Sequence, residues 1–438
     1  MEIGIAHFVS RRRALVAALL IVFASAGCSV GPSPSPAHAL LSASASSPTA
    51  TSMPSAAPTP TLLPLSTSLP AGKWTGVHWT KVISNDPHWL IPDQPPETGS
   101  NVENLGWSTF GWSHGYISFD TVVTTHADYS WTGVTSIEQS LDGVSWTPSG
   151  GFARSGDSDE DPFSSNGVVG VVEGAGGLLA YTGDSSVCTW VSRYYSPVAA
   201  SPDGVNWTNV SQSLGSIQII DGAGAGYIAL GGAGLFTSVD GLRWTKAALT
   251  GKAFARLDLV QSGTVADDGF VISGVTFGPE GDGCGSGPAL LNPTLWFSRD
   301  GKVWKKLSLP GAIAGPEVSL DVCHVGRFLV ANEAGQTAKS WTSTDGMTWL
   351  ASRTDFWCAD TRDDPWFLEG GGREMFVASA QDGSAKLTLV NDDLTETPLA
   401  QSGDLPDWNN VGFATLGPAG VVASTDDGTL YFGAPVTQ

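Results

Sequence analysis

The stretch Ser201-Pro-Asp-Gly-Val-Asn-Trp207 is one of five copies of a single pattern, Ser-x-Asp-Gly-x-x-Trp. The others run from Ser140 to Trp146, Ser238 to Trp244, Ser298 to Trp304 and Ser343 to Trp349. Their aspartates, Asp142, Asp203, Asp240, Asp300 and Asp345, are spaced by 61, 37, 60 and 45 residues. A fixed motif at variable spacing means one structural unit repeated with insertions of different length. The motif has the chemistry of a turn. Gly takes a positive φ without penalty, and the Ser hydroxyl and Asp carboxylate cap the turn amides.

The surroundings of each copy read as strands. Just upstream lie short β-rich runs such as Gly234-Leu-Phe-Thr-Ser238 and Thr294-Leu-Trp-Phe-Ser298. Before those come apolar runs such as Tyr227-Ile-Ala-Leu230 and Arg327-Phe-Leu-Val330, and before those a third set, Ile217-Gln-Ile-Ile220 and Val318-Ser-Leu-Asp-Val322. With the strand opened by the Trp, each unit has four strands and the motif between its third and fourth. That is a propeller blade. The five motif tryptophans, Trp146, Trp207, Trp244, Trp304 and Trp349, are therefore read as structural.

The motif resembles the Asp-box, or BNR, repeat of sialidase-like β-propellers. The usual box is Ser-x-Asp-x-Gly-x-x-Trp, and this chain is one residue shorter between Asp and Gly. Ser424-Thr-Asp426-Asp-Gly428-Thr-Leu-Tyr431 has the full spacing with Tyr in place of Trp. The resemblance implies an all-β propeller over about residues 72–438. It also raises a glycoside hydrolase reading. Sialidases use three arginines, a Tyr–Glu pair and an Asp acid. Their early Arg-Ile-Pro motif is absent here, and the loop arginines Arg154, Arg193, Arg256, Arg353 and Arg362 are not placed together by sequence. Exported photosystem assembly propellers carry similar boxes on seven blades and suggest a third reading, an assembly factor for a membrane complex.

Five boxes mark five blades. A sixth has strands at 374–377, 386–390 and 395–399 around the turn Asn391-Asp392-Asp393. Near the C-terminus only three strands are found, at about 410–416, 420–424 and 429–433. Thr75-Gly-Val-His-Trp79-Thr80 matches the second half of a box, so residues 78–83 are predicted to supply the missing outer strand and close a seven-bladed ring. The alternative is six blades with a separate C-terminal hairpin.

The boxes share one end of the blades. The insertions 84–106, 126–134, 148–166, 185–194, 278–292 and 352–365 share the other, where function is expected. Candidate ligand-binding residues there are Trp131, Trp190, Arg193, Tyr194, Trp357, Trp366 and Trp408, suited to stacking on sugars or anchoring a protein. Asp157, Asp159 and Asp161 stand at alternate positions, as in calcium loops, so Ca2+ is a possible ligand although no cofactor is required. Pro162 stands where a helix-loop-helix calcium site wants Gly.

The N-terminus reads as an export signal. Arg11 to Arg13 precede an apolar run of eleven residues, Ala14 to Ala24, too short to span a bilayer. Ser25-Ala26-Gly27-Cys28 resembles the bacterial lipobox and makes Cys28 the expected lipid anchor of a protein held at the outer face of the cell membrane. Residues 1–27 are then the signal peptide. Residues 28–71, rich in Ser, Pro, Ala and Thr, form a stalk without the apolar content to fold. Four cysteines remain. Of the three possible pairings, Cys188–Cys284 with Cys323–Cys358 is preferred.

The full chain has 438 residues, 21 Lys and Arg, 42 Asp and Glu, and a net charge of −21. Such an acid balance excludes a nucleic-acid binder and leaves the N-terminal lipid as the membrane contact. Gly (54) and Pro (27) make nearly a fifth of the chain, which suits a turn-rich β fold and excludes a coiled coil. The sequence reading is a monomeric surface lipoprotein that binds an extracellular protein or glycan on its long-loop face without catalysis. A sialidase-like glycoside hydrolase is the alternative.

Overall fold

A computed structural model describes residues 73–82, 101–126, 128, 130–156, 167–184, 194–215, 217–231, 233–249, 254, 259–280, 288–311, 319–325, 328–334, 339–352, 358, 367–370, 373–379, 382–391, 394–425 and 429–438. The signal, the stalk, Cys28, Cys188, Cys284, Asp157, Asp159, Asp161, Trp190, Arg193, Trp357 and Trp366 lie outside these residues. Apart from Glu280, all the described residues belong to one compact unit, Leu65–Pro279 with Pro288–Gln438.

That unit is a propeller of seven four-stranded antiparallel blades. Strand β1, Trp74–Val82, comes first in the chain and last in the ring. Blade I holds β2 (Asn101–Trp112), β3 (Gly115–Thr125), β4 (Trp131–Ser140) and β5 (Thr147–Gly156). Blade II holds β6 (Val168–Gly174), β7 (Gly177–Asp184), β8 (Tyr194–Ser201) and β9 (Thr208–Asn209). Blade III holds β10 (Ile217–Ala223), β11 (Gly226–Gly231), β12 (Gly234–Ser238) and β13 (Thr245–Lys246). Blade IV holds β14 (Leu259–Ala266), β15 (Gly269–Glu280), β16 (Pro288–Ser298) and β17 (Lys305–Lys306). Blade V holds β18 (Ser319–Val325), β19 (Phe328–Ala334), β20 (Lys339–Ser343) and β21 (Leu350–Ser352). Blade VI holds β22 (Phe367–Gly370), β23 (Arg373–Ser379), β24 (Ala385–Val390) and β25 (Glu396–Gly403). Blade VII holds β26 (Val411–Gly417), β27 (Gly420–Thr425), β28 (Leu430–Thr437) and then β1.

The core is divided among the seams between blades. Each of seven buried apolar clusters joins two neighbouring blades. Ile117 and Phe119 of blade I meet Leu178 and Ala180 of blade II. One residue on, Leu179 faces the other way and packs with Tyr227 and Ala229 of blade III. Middle strands are thus apolar on both faces, as the unbroken burial of β11 shows. Polar rungs cross the seams as well. Asp221 of β10 accepts hydrogen bonds from Thr264 Oγ1 (2.5 Å) and the Val265 amide (3.1 Å) of β14. Ser262 of β14 exchanges hydrogen bonds with the Val322 backbone of β18.

Closure follows the expected route. β1 pairs antiparallel with β28, from Trp74 opposite Thr437 to Val82 opposite Leu430. It starts four residues earlier than predicted. Its other edge pairs in parallel with β25, so blades VI and VII form one eight-stranded sheet, an arrangement the sequence did not suggest. Trp79 is fully buried there. Its indole N–H donates to Gln401 Oε1 (3.0 Å), and its ring meets Trp408 edge-on at 5.8 Å.

Two insertions are shorter than expected. β2 begins at Asn101 and β5 runs to Gly156, each taking in residues assigned to loops. A register shift beside Gly150, whose φ is 122°, lets β5 continue past residue 148, where the insertion was expected to begin. The motif at 424–431 keeps the place its strands gave it. Ser424 lies in β27 and Tyr431 in β28, second and third strands, so it stands at the end opposite the boxes. It has the spacing of a box without the position of one.

Replacing Trp79 with Ala is expected to cost about 3–5 kcal/mol, because the side chain is shared by β1, β25 and the start of blade VII. Urea denaturation of the two proteins measures it.

Candidate functional site

The five boxes form the same turn. In each, the Ser hydroxyl donates to the Asp carboxylate at 3.0–3.2 Å. The same carboxylate accepts the two backbone amides that follow the Gly, at 2.7–3.0 Å. The Gly sits at φ between 68° and 73°. In four boxes the Trp indole donates to the carbonyl of the box Gly at 2.7–3.1 Å. Trp146 departs from the set, since its buried indole N–H has no hydrogen-bond partner among the described residues.

The box is also a wedge. Trp207, Trp244, Trp304 and Trp349 each enter the seam with the preceding blade, and Trp146 packs beside the seam between blades VII and I. At Gly143 a Cβ would stand 2.7 Å from the Phe432 ring of blade VII, so Gly is needed for packing as well as for φ.

All five box carboxyls are held below the usual Asp range. For Asp142, Asp203, Asp240 and Asp345 burial is the largest influence and acts upward, but the amides and hydroxyls together outweigh it. For Asp300 the amides of Val303 and Lys302 lead. These groups are committed to their own turns and offer little to a ligand.

The opposite end of the blades is built differently. There β7 and β8 place Tyr181 and Tyr195 edge-on at 5.2 Å, both half-buried. The Tyr181 ring lies over Gly170 of the inner strand β6, where any side chain would collide with it. Tyr195 reaches β10 of blade III, opposite Ile217. The pair therefore stands beside the inner strand at the foot of the 185–193 connection. Sequence reasoning counts Tyr195 among the loop-face aromatics suited to stacking on a sugar but passes over Tyr181, because Tyr181-Thr-Gly-Asp184 reads as the end of a core strand. The glycine at 170 was the one available signal.

At the same end of blade I, the β3–β4 connection holds Asp128, which accepts the Ser130 hydroxyl (2.6 Å) and amide (3.0 Å) and is thereby lowered in pKa. His126 pairs with Thr132 Oγ1 at 3.1 Å. Within blade I, burial raises the carboxyls of Asp120 and Glu138.

Two of the predicted ligand-binding aromatics lie in the core. Trp131 is 6% exposed and packs with Phe119 and Phe152, because β4 already begins at this residue. Trp408 is 2% exposed and packs on Trp79. Tyr194 opens β8. Among the described residues no group of three or more His, Cys, Asp or Glu side chains could hold a metal. No helix among them is long and apolar enough to cross a membrane.

Cys323 and Cys358 are disulfide-bonded, with Cα atoms 5.3 Å apart. The bond lies in the seam between blades V and VI, where the buried apolar set is small: Val325, Val330 and Val390 beside the two cysteines. The Cys358 amide also donates to Asn332 Oδ1 at 3.0 Å. The bond ties the connection into blade VI to the inner strand β18.

No protein-family model and no curated protein matches the sequence. Some solved structures resemble it. One is a family 117 glycoside hydrolase of the marine bacterium Zobellia galactanivorans, at 12% identity and TM-score 0.26, covering 64% of this chain and 75% of that one. Another is the sialidase of Trypanosoma rangeli, at 13% identity and TM-score 0.30, covering 75% of this chain and 54% of that one, so this chain spans about half its length. A third is the six-bladed fucose-recognising lectin of the fungus Aleuria aurantia, at 10% identity and TM-score 0.27, covering 71% and 99%. The likeness is one of scaffold. The similar structures include glycoside hydrolases and sialidases as well as a lectin, so they do not bear out the expectation of a protein without catalysis.

Two predictions follow from this geometry. Asp345→Ala removes the acceptor of two amides and two hydroxyls and is expected to cost about 1–3 kcal/mol. Because the box carboxyls are depressed, their contribution is complete above the unfolded Asp value of about 3.9 and is lost as pH falls through the folded values. Denaturation midpoints should therefore drop below about pH 4, less steeply in the variant. Replacing both Cys323 and Cys358 with Ser should cost about 2–4 kcal/mol, read as a lower melting temperature than that of the oxidised parent.

Proposed function

We propose that this chain is a glycoside hydrolase on a sialidase-like propeller, taking its carbohydrate at the end of the blades opposite the boxes. The observation that carries the reading is the unequal use of the two ends. The box carboxylates are saturated by their own turns, whereas the far end presents the Tyr181–Tyr195 pair beside an inner strand. Half-buried tyrosines offer flat apolar faces with polar tips, which suit a sugar ring. The connections at that end also carry the carboxyls in the sequence: Asp157, Asp159, Glu160 and Asp161 after β5, and Asp360, Asp363 and Asp364 before β22. Glycoside hydrolysis uses two such groups, about 5–5.5 Å apart for retention and 6.5–9.5 Å for inversion. Trp190, Arg193, Tyr194, Trp357 and Trp366 fall in or beside the same connections.

We also infer that the protein is exported, anchored through Cys28 and monomeric, with an extracellular glycan as substrate. Asp157, Asp159 and Asp161 remain the candidate calcium ligands.

The test is turnover of aryl glycosides, sialosides included, by the purified chain. Hydrolysis of one class is expected. Tyr181→Ala or Tyr195→Ala should raise its KM by about 2- to 10-fold, the loss of one stacking contact. Glycan binding without turnover would assign recognition alone. Neither binding nor turnover across the panel would sink the proposal.

A further inference from the structure

Ten large apolar side chains are exposed among the described residues, and seven of them stand at the box end of the blades. Leu141 and Val144 lie in the box of blade I, Val205 in that of blade II, Val239 in that of blade III and Val303 in that of blade IV. Leu350 follows the box of blade V, and Val436 stands one residue before the end of β28 in blade VII. Exposure reaches 68% at Val239 and 76% at Val303. The turn does not require them. It needs Ser, Asp, Gly and Trp: blade V meets the same geometry with Thr344 and Thr348 at the first and third free positions, and blade IV with Lys302 at the second. Solvent-facing turn positions ordinarily carry polar residues.

The chain enters the propeller at this same end. Trp74 opens β1 opposite Thr437, and Val436 stands opposite Gly76. The segment bearing Cys28 therefore joins the fold beside the apolar tips, through the exposed Lys73.

We propose that the box end faces the membrane and rests on a lipid bilayer, its apolar tips set among the headgroups, a contact in addition to the N-terminal lipid that the acid balance alone leaves. The proposal rests on the reading of Cys28 as a lipid anchor. The spacing of the tips favours a bilayer over a protein. A protein interface needs a contiguous desolvated centre, whereas a bilayer surface accepts separate points spread around a ring. Arg299 and Lys302 are exposed at the same end and can reach lipid phosphates, while the box carboxylates are turned onto their own amides and, at Asp240, onto Arg243. The loop end then points away from the membrane, open to a large substrate.

The test uses the full chain with its lipid, placed in phosphatidylcholine vesicles with and without bromine on the acyl chains near the headgroups. Trp207, Trp244, Trp304 and Trp349 lie just behind the tips, so bromine should quench tryptophan fluorescence. The triple variant Leu141→Thr, Val239→Thr and Val303→Asn carries residues of the kind other boxes hold. It should lose most of the quenching while keeping its circular dichroism and its flotation with vesicles. An anchored protein without quenching overturns the proposal, and so does quenching that the variant leaves unchanged. Mass spectrometry of Cys28 tests the anchor separately. If Cys28 carries no lipid, the same chain is added to the same vesicles at high lipid concentration. Quenching that the variant loses then supports the docking surface without the anchor, and its absence overturns the surface.

Discussion

A blade in this protein cannot stand alone. Its middle strands are apolar on both faces, so each sheet needs a neighbour on either side. The rest of the structure follows from that constraint. Seven seams form, and a ring is the arrangement that leaves no apolar face over. The last blade borrows β1 because three strands alone would leave an open edge and uncover Trp74, Val77 and Trp79.

The boxes are better understood as part of these seams than as hairpin decoration. Asp and Ser fix the turn, and the turn drives the Trp into the gap beside the preceding blade. One repeated motif therefore sets both the local fold and the spacing between sheets. Where the apolar supply is thin, between blades V and VI, a disulfide takes its place. Where the box is missing, in blade VI, the sheet is extended by parallel pairing of β25 with β1.

The same division of labour separates the two ends of the molecule. Turns that must hold seams together are short and self-satisfied, which leaves the opposite end free to vary. The Tyr181–Tyr195 pair shows how tertiary packing builds a surface there: Gly170 makes room on the inner strand for Tyr181, which does not advertise its place in the sequence.

The sequence by itself determined the all-β class, the four-strand unit, the five boxes and the closing strand near Trp79, because turn chemistry and strand alternation are local and repeat in register. Pairing Cys323 with Cys358 was also within reach, since both flank one seam. Only the tertiary structure decided that Trp131 and Trp408 are core rather than ligand surface, and that β1 also pairs with β25. Each of those depends on which faces meet across a seam, and no local pattern encodes it: an aromatic residue reads the same in a sequence whether a neighbouring blade covers it or solvent does.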